Sequence, residues 1–331
     1  LGAYRVSQTV ASLSNLGLDN NQNNPPTSIM PQGNSTIRMS DFYSKKLNTV
    51  VDLHSSNQNN TTRKDIRNRY NGNNVTVVGG FRSKPTDTGE KPPTGVRGKR
   101  VIGLINVTIG SERSTNKSRC AVQTGTWDAN TTFEVHIGDD GEILGAGGSG
   151  GNGGGCGNGN APNDATSALG IEQSGTRVIN NGYIQCGYGG GGGGGTASCD
   201  PDKSTNDPIA PGGGGGAGAG YPSGPGGAGS CDSGGCGDDG DDGNNKTRGA
   251  GGAGIVDGCA TGGTGGNGGQ PGSAAQDGGD GNSTYGADCE KEGGTPGYNG
   301  DAIRSTVSSG NVTIVNAGTI HGGQVYSTTV S

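Results

Sequence analysis

The chain has few of the residues that usually build a protein interior. Only 27% of its 331 residues are hydrophobic and 4% are aromatic, with one Trp and three Phe. An average globular domain is nearly half apolar when glycine is counted, so an ordinary hydrophobic core is expected for only part of this chain. No apolar run approaches the roughly 18 residues that span a membrane, and no signal-peptide pattern opens the sequence. We therefore expect no membrane insertion.

Motifs for catalysis and ligand binding are also scarce. The chain has three His, at positions 54, 136 and 321, and no Cys-x-x-Cys pair, so a zinc site is not predicted. It contains no phosphate-binding G-x-x-x-x-G-K-[ST] motif. The two carboxylates of a glycosidase are not excluded, but no pair is singled out. We expect no catalytic residues, no metal and no cofactor.

Charge is divided unequally along the chain. Residues 1–119 carry 17 Lys and Arg against 7 Asp and Glu, a net charge of +10, whereas residues 120–331 carry 6 against 22, or −16. Such asymmetry indicates two modules with different partners. The basic part has no helix-turn-helix, zinc-finger or RNA-binding signature. We therefore predict that it docks onto protein and does not bind nucleic acid.

Cysteine and aspartate clusters mark the acidic part. The chain has eight cysteines, and Cys231 and Cys236 are the closest pair. Their even number and loop positions favour disulfides, with buried thiols as the alternative, and a protein assembled inside a cell would start reduced. Aspartates crowd "CGDDGDDGNN" without the spacing of a calcium-binding EF-hand. We expect these carboxylates to lie on solvated faces.

Local patterns divide the chain into three parts: an extended connector over residues 1–36, a β-rich docking domain over 37–136, and a glycine-rich domain over 137–331. In the docking domain, alternating β-branched residues predict strands within 74–81, 100–110 and 131–138. Before them, Ser40 is placed to cap a short helix. Phe42 and Tyr43 on that helix are candidate docking residues.

One motif occurs three times in the glycine-rich domain. It begins at Ile137, Val178 and Ile314, and combines aliphatic residues, Asn or Asp, Gly and then Ile. Asx and Gly between aliphatic residues are typical of a tight reversal. We interpret each copy as a short hairpin or as one rung of a sheet.

Glycine dominates the same region. After residue 137 the chain has 63 of its 75 glycines, often at every third position, and Gly189 to Gly195 are consecutive. A period of three is that of the polyproline II helix, whose amides must bond sideways to neighbouring chains. The runs with glycine at every third position are too short for collagen, and their register changes too often. We predict a bundle of polyglycine II helices with the seven consecutive glycines at its centre, in a mainly β fold with almost no α-helix.

Three segments resemble proteins of tailed bacteriophages. "VINNGYIQCGYGGGGGGG" and "VTIVNAGTIHGG" look like the strand and polyglycine pattern of tail-fibre tip adhesins, and "IRMSDFYSK" is similar to a segment of phage tail proteins. The whole chain looks most like glycine-rich proteins of phages that infect marine cyanobacteria. The resemblance implies a virion protein, made in the host cytoplasm, whose amino-terminal half joins other tail proteins in a multi-chain assembly.

The resemblance further implies a sandwich of polyglycine II helices whose connecting loops bind a host-surface protein or glycan. The candidate loops are Thr196–Pro211, Tyr221–Pro225, Ser230–Arg248 and Ser283–Tyr298. Exposed aromatics carry much of the energy of many interfaces. The candidate receptor-binding residues in these loops are Asp202, Lys203, Tyr221, Tyr285 and Tyr298.

Four other functions remain open at this point. The chain could be a purely structural or decorating virion component, or a depolymerase acting on surface polysaccharide. An ice-binding polyglycine protein would need flat, regular faces of Thr or Ala, which the Asp-rich positions between the glycines do not offer. An extracellular glycine-rich matrix protein would carry glycans on Asn-x-Ser/Thr sites such as Asn60 and Asn311.

Overall fold

A computed structural model of the chain describes residues 100–125, 127, 131–155, 157–199, 209–232, 235–284 and 287–330, and before them only five short strands. The predicted helix with Phe42 and Tyr43 lies outside the described residues. Within them there is no α-helix, and the fold is mainly β. No described helix could cross a membrane, given its length and apolar content.

In the part of the chain that the structure describes, the strands follow one another, and a short 3-10 helix (Ser309–Asn311) lies between residues 305 and 312. In chain order they are β1 (Leu18–Asp19), β2 (Lys46–Leu47), β3 (Thr49–Asp52), β4 (Lys64–Asp65), β5 (Val77–Val78), β6 (Arg100–Ile105), β7 (Thr108–Gly110), β8 (Cys120–Gln123), β9 (Thr132–Ile137), β10 (Glu142–Leu144), β11 (Ser167–Ile171), β12 (Thr176–Asn180), β13 (Tyr183–Gln185), β14 (Ala197–Cys199), β15 (Ile209–Ala210), β16 (Cys231–Asp232), β17 (Gly235–Cys236), β18 (Val256–Asp257), β19 (Ala260–Thr261), β20 (Asn282–Ser283), β21 (Ala287–Glu290), β22 (Asp301–Ser305), β23 (Val312–Asn316), β24 (Thr319–His321) and β25 (Gly323–Val325).

The chain contributes one strand to each of three sheets in turn, and this arrangement is a parallel β-helix. The six-stranded sheet has the order β23-β12-β9-β6-β3-β5, the four-stranded sheet β24-β13-β10-β7, and the five-stranded sheet β25-β22-β11-β8-β4. Neighbours pair in parallel, except β3 with β5. Successive rungs are therefore β6-β7-β8, β9-β10-β11, β12-β13-β22 and β23-β24-β25. We call this part the trunk.

The hydrophobic core lies inside the trunk. Aliphatic residues from all three sheets, such as Val135, Ile143 and Leu169, are fully buried there. Trp127 stacks on Phe133 with ring centroids 5.2 Å apart. Within the described residues, most large apolar side chains therefore lie where a side-chain core exists, as the composition predicts.

The three copies of the repeated motif are stacked rungs and not hairpins. In each copy the strand before the glycine belongs to the six-stranded sheet and the strand after it to the four-stranded sheet. Ile143 and Ile184 are paired in register, as are Ile184 and Ile320. Of the two alternatives, the rung of a sheet is confirmed and the hairpin is wrong, because Asn-x-Gly here turns the chain by one corner of the β-helix and does not reverse it.

The glycine-rich part is inserted into the trunk. It leaves the third rung after β13 and returns at β22, and a smaller excursion leaves the second rung between β10 and β11. The boundary predicted between residues 136 and 137 falls inside β9, one residue before that strand ends.

Ten extended segments cross the glycine-rich part, numbered here in chain order. They are segment 1 (145–154), 2 (159–166), 3 (186–196), 4 (211–220), 5 (224–230), 6 (237–243), 7 (248–255), 8 (262–269), 9 (274–281) and 10 (291–300).

Hydrogen bonds between the segments repeat every three residues. In segment 1 the amides of residues 145, 148, 151 and 154 donate to carbonyls of residues 185, 188, 191 and 194 at 2.8–2.9 Å, while those of 147, 150 and 153 donate to carbonyls of 222, 225 and 228. This is the period predicted for polyglycine II helices. Residues three apart face the same neighbour, so backbone hydrogen bonds connect each segment to its neighbours.

Segment 3, which contains the seven consecutive glycines, lies at the centre of the bundle. It exchanges backbone hydrogen bonds with segments 1, 2, 4, 8, 9 and 10, and Gly189 to Gly195 are all buried. A Cβ added to successive glycines would overlap carbonyl oxygens of segments 10, 1 and 8 in strict rotation. Segment 4 has six hydrogen-bonded neighbours as well, so two glycine-rich segments form a core made of backbone.

Side chains replace the missing neighbours at the rim of the bundle. The carboxylate oxygens of Asp239 and Asp242 accept hydrogen bonds from the amides of Gly229 and Gly226, at 2.7 and 2.8 Å. Asp280 accepts from the amide of Gly293 at 2.9 Å in the same way. Some of the predicted solvated aspartates therefore also satisfy outward-facing amides of the next segment.

We expect Asp239→Ala to destabilise the bundle slightly, because the Gly229 amide loses its acceptor. The free energy of unfolding should fall by about 1 kcal/mol, which lowers Tm by roughly 2–4 °C in a unit of this size. Asp239→Asn keeps a side-chain oxygen and should restore most of the loss. Differential scanning calorimetry measures both. The matched control is Asp238→Ala, because Asp238 is also exposed and its carboxylate bonds to no described residue; an equal loss there would refute the role of the hydrogen bond.

Candidate functional site

One end of the bundle is fixed to the trunk. The turns at residues 221–223 and 244–247 meet it there: the amide of Ser111 donates to the carbonyl of Tyr221 at 3.1 Å, and Arg113 Nε donates to the carbonyl of Ser223 at 3.1 Å. Gln185 Nε2 on β13 donates to the carbonyl of Asn245 at 2.8 Å. These bonds anchor the bundle from two turns.

Lys246 adds an electrostatic contact at this junction. Its Nζ lies 2.7 Å from Glu142 Oε1 and 4.5 Å from the centroid of the Tyr183 ring. Glu142 also accepts from the hydroxyl of Thr108 at 2.9 Å. Burial, and then the Glu142 charge, raise the pKa of Tyr183 above its ordinary value, so the phenol stays neutral beside Lys246. The junction therefore has an ion pair and a cation–π contact on the outer face of the four-stranded sheet.

The opposite end of the bundle, here called the tip, consists of five connections: residues 155–158, 197–210, 231–236, 256–261 and 282–290. Two small sheets join three of them, at 197–210, 256–261 and 282–290. Strand β14 pairs with β15 and β21, and β19 pairs with β18 and β20. Because the segments run between trunk and tip, connections distant in sequence meet at one surface.

The apolar cluster that the structure describes at the tip is small. It consists of Ala197, Ala210 and Ala260, with Cys259 packed against them. A disulfide joins Cys231 to Cys236 across the paired strands β16 and β17. The predicted disulfides are therefore present at the tip, while Cys120 and Cys186 are buried thiols in and beside the trunk.

The sequence-predicted site residues separate into two groups. Tyr221 lies in a turn at the trunk end, and Tyr298 lies on segment 10, two residues before that segment ends at the trunk; its ring is 71% exposed and 5.8 Å from Lys117 Nζ. Asp202, Lys203 and Tyr285 belong to tip connections by sequence and lie outside the described residues. The structure therefore places Tyr221 and Tyr298 toward the trunk end and leaves the other three candidates as predictions.

Sequence reasoning missed one exposed apolar residue at the tip. Val256 on β18 is 72% exposed, more than any other large hydrophobic side chain among the described residues. It follows Ile255 at the end of segment 7, and the pair looks like an ordinary strand in the sequence. Only its position in a two-residue strand at the end of the bundle turns it outward.

No catalytic or metal-binding arrangement stands out in the described part of the chain. It contains no group of three His, Cys, Asp or Glu residues placed to hold a metal ion. His136 Nε2 lies 2.6 Å from Glu134 Oε2, on a strand of the six-stranded sheet away from the tip. Burial is the main cause that raises the pKa of Cys186 to about 12, so this thiol is not a nucleophile near neutral pH.

Comparison with known proteins identifies the family. Residues 93–325 match the model of the phage tail fibre adhesin Gp38 family. No curated protein and no solved structure gives a significant match. The matched range includes four rungs of the trunk, the complete bundle and the tip, and it is well over half of the 331 residues. The chain therefore belongs to the Gp38 family of phage tail fibre adhesins, which places it in the virion among other tail proteins with a role in receptor binding.

Proposed function

We propose that the chain attaches a phage to its host through the tip, and that the ten segments are polyglycine II helices which hold the tip rigid. The observation that carries this proposal is the convergence of five connections on the end of the bundle opposite the trunk. The frame beneath them is held by backbone hydrogen bonds. The connections can therefore change in sequence without disturbing a side-chain core, as host recognition requires.

The trunk end is the proposed site of attachment to the fibre. Residues 1–119 carry a net charge of +10, and this favours an acidic partner surface on another tail protein. Phe42 and Tyr43 are the proposed docking residues. The chain would then be a non-enzymatic component assembled onto the tail inside the host cell.

Charge and exposure favour particular contact residues within the tip. The five connections contain seven acidic residues and one basic residue, Lys203, and together carry a net charge of −6. Asp202, Lys203 and Tyr285 are the proposed contacts retained from the sequence, and Val256 is added for its exposure. Tyr221 and Tyr298 would act only if the receptor also reaches the side of the bundle.

A competition assay tests the proposal. The purified full chain, added to host cells before the phage, should reduce phage adsorption at least tenfold at saturation. A chain that lacks tip residues 256–261, replaced by a Gly-Gly turn, should compete poorly if the tip binds. Full-strength competition by a chain with every tip connection shortened would refute the proposal, and a chain that never competes but stays on the particle would be a decorating protein.

A further inference from the structure

We propose that oxidation of cysteines at the tip, after the particle leaves the host cytoplasm, orders the tip for receptor binding. The inference rests on the proposed function. Each of the five tip connections contains at least one cysteine, together six of the eight, whereas the turns at the trunk end contain none. These cysteines are therefore spread along the sequence but gathered at one end of the bundle.

The packing of the tip explains why covalent links are placed there. Among the described tip residues, three buried alanines form the apolar cluster, and alanine side chains release little surface from water. Domains with such small cores commonly depend on disulfides. The trunk, which has a large aliphatic core, keeps its two buried cysteines as thiols.

Three of the tip cysteines are in disulfide bonds in the structure. Cys231 and Cys236 are bonded, face each other across β16 and β17, and are exposed to solvent. Cys259 is also disulfide-bonded. The carbonyl of Cys259 accepts from the amide and hydroxyl of Thr284, at 3.0 and 3.1 Å, which ties the connection at 256–261 to the one at 282–290.

The chemistry follows from the two environments. Inside the host cell the thiols stay reduced, as in most cytosolic proteins. After lysis, two thiols lose two protons and two electrons as the S–S bond forms, and dissolved dioxygen accepts them and becomes hydrogen peroxide. The bundle and trunk need no oxidation, because backbone hydrogen bonds and the aliphatic core hold them. The tip is therefore the one part whose order depends on the redox state.

The test compares the oxidised full chain with the same chain in dithiothreitol. Alkylation and mass spectrometry should find Cys231 and Cys236 labelled only after reduction. Hydrogen exchange in residues 256–261 should rise at least tenfold on reduction, while residues 189–195 stay protected. Adsorption to host cells should fall about tenfold. A reduced chain with a fully protected tip and unchanged adsorption would overturn the inference.

Variants separate this inference from the proposed function. Cys231→Ser with Cys236→Ser should raise exchange at the tip without added reductant, and Cys120→Ala in the trunk is the matched control, with wild-type exchange at the tip expected. If the oxidised chain binds no host cells, the proposed function fails, and the exchange measurement alone decides the redox inference. If the oxidised and reduced chains bind equally well, the proposed function stands and the redox inference fails.

Discussion

Gly192→Val should unfold the glycine-rich bundle. A Cβ at this position would overlap the carbonyl oxygen of Gly294 and come within 3.0 Å of the amide nitrogen of Gly278. These atoms belong to the backbones of segments 10 and 9, which are fixed by their own hydrogen bonds. Overpacking in an ordinary core costs about 1–3 kcal/mol because side chains can shift. Backbone cannot shift in the same way, so we expect a loss above about 3 kcal/mol and no folded bundle.

Circular dichroism and hydrogen exchange measure this result. The trunk should retain protected amides, because its aliphatic core does not include segment 3. Gly310→Val is the matched control: a Cβ there meets no atom within 4 Å. If Gly192→Val and Gly310→Val both unfold within about 2 °C of the parent chain, segment 3 is not the centre of the bundle and our interpretation of the glycine run is wrong.

Replacing the whole tip of this chain with the tip of a relative that infects another host should change the host range to that of the relative. All five connections are exchanged together, because strands of 197–210 and 282–290 share one sheet and strands of 256–261 and 282–290 share another. We expect adsorption to the original host to fall by about two orders of magnitude, the effect of losing roughly 3 kcal/mol of binding free energy. Plaque assays on both hosts measure the change.

Two further variants identify which part of the bundle is responsible for adsorption to the host. Tyr298→Ala, on the exposed side of segment 10, should leave adsorption unchanged, whereas Val256→Asp at the tip should weaken it about tenfold. The unfolding temperature of both variants should stay near that of the parent, because neither side chain is buried. A larger loss from Tyr298→Ala than from Val256→Asp would move the receptor-binding surface from the tip to the side of the bundle.

Some features could be predicted because they are local in the sequence. The alternation in residues 100–110 and 131–138 predicts strands, and β6, β7 and β9 lie there. The glycine spacing of three predicts sideways hydrogen bonding, since a residue without a side chain at every third position leaves one face open to another backbone. The predicted central position of Gly189 to Gly195 agrees with six hydrogen-bonded neighbours.

The β-helix could not be predicted in this way. Its sheets form between distant residues: Leu169 pairs with Ile303, and Val178 pairs with Val135 and Ile314. Asn-x-Gly satisfies local amides equally well in a hairpin turn and in a corner between two sheets. Which of the two forms depends on the next rung, and for the third rung that neighbour lies beyond the inserted bundle.

The sequence by itself determined where a side-chain core can exist, where only backbone can pack, and that charge divides the chain into a basic and an acidic part. Tertiary structure alone decided which connections meet. Tyr221 and Tyr298 lie in or close to segments that end at the trunk, while Val256 and the disulfide of Cys231 and Cys236 lie at the tip. The physical reason is that alternate segments run in opposite directions, so the end of the bundle at which a loop lies depends on the number of crossings before it and not on its composition.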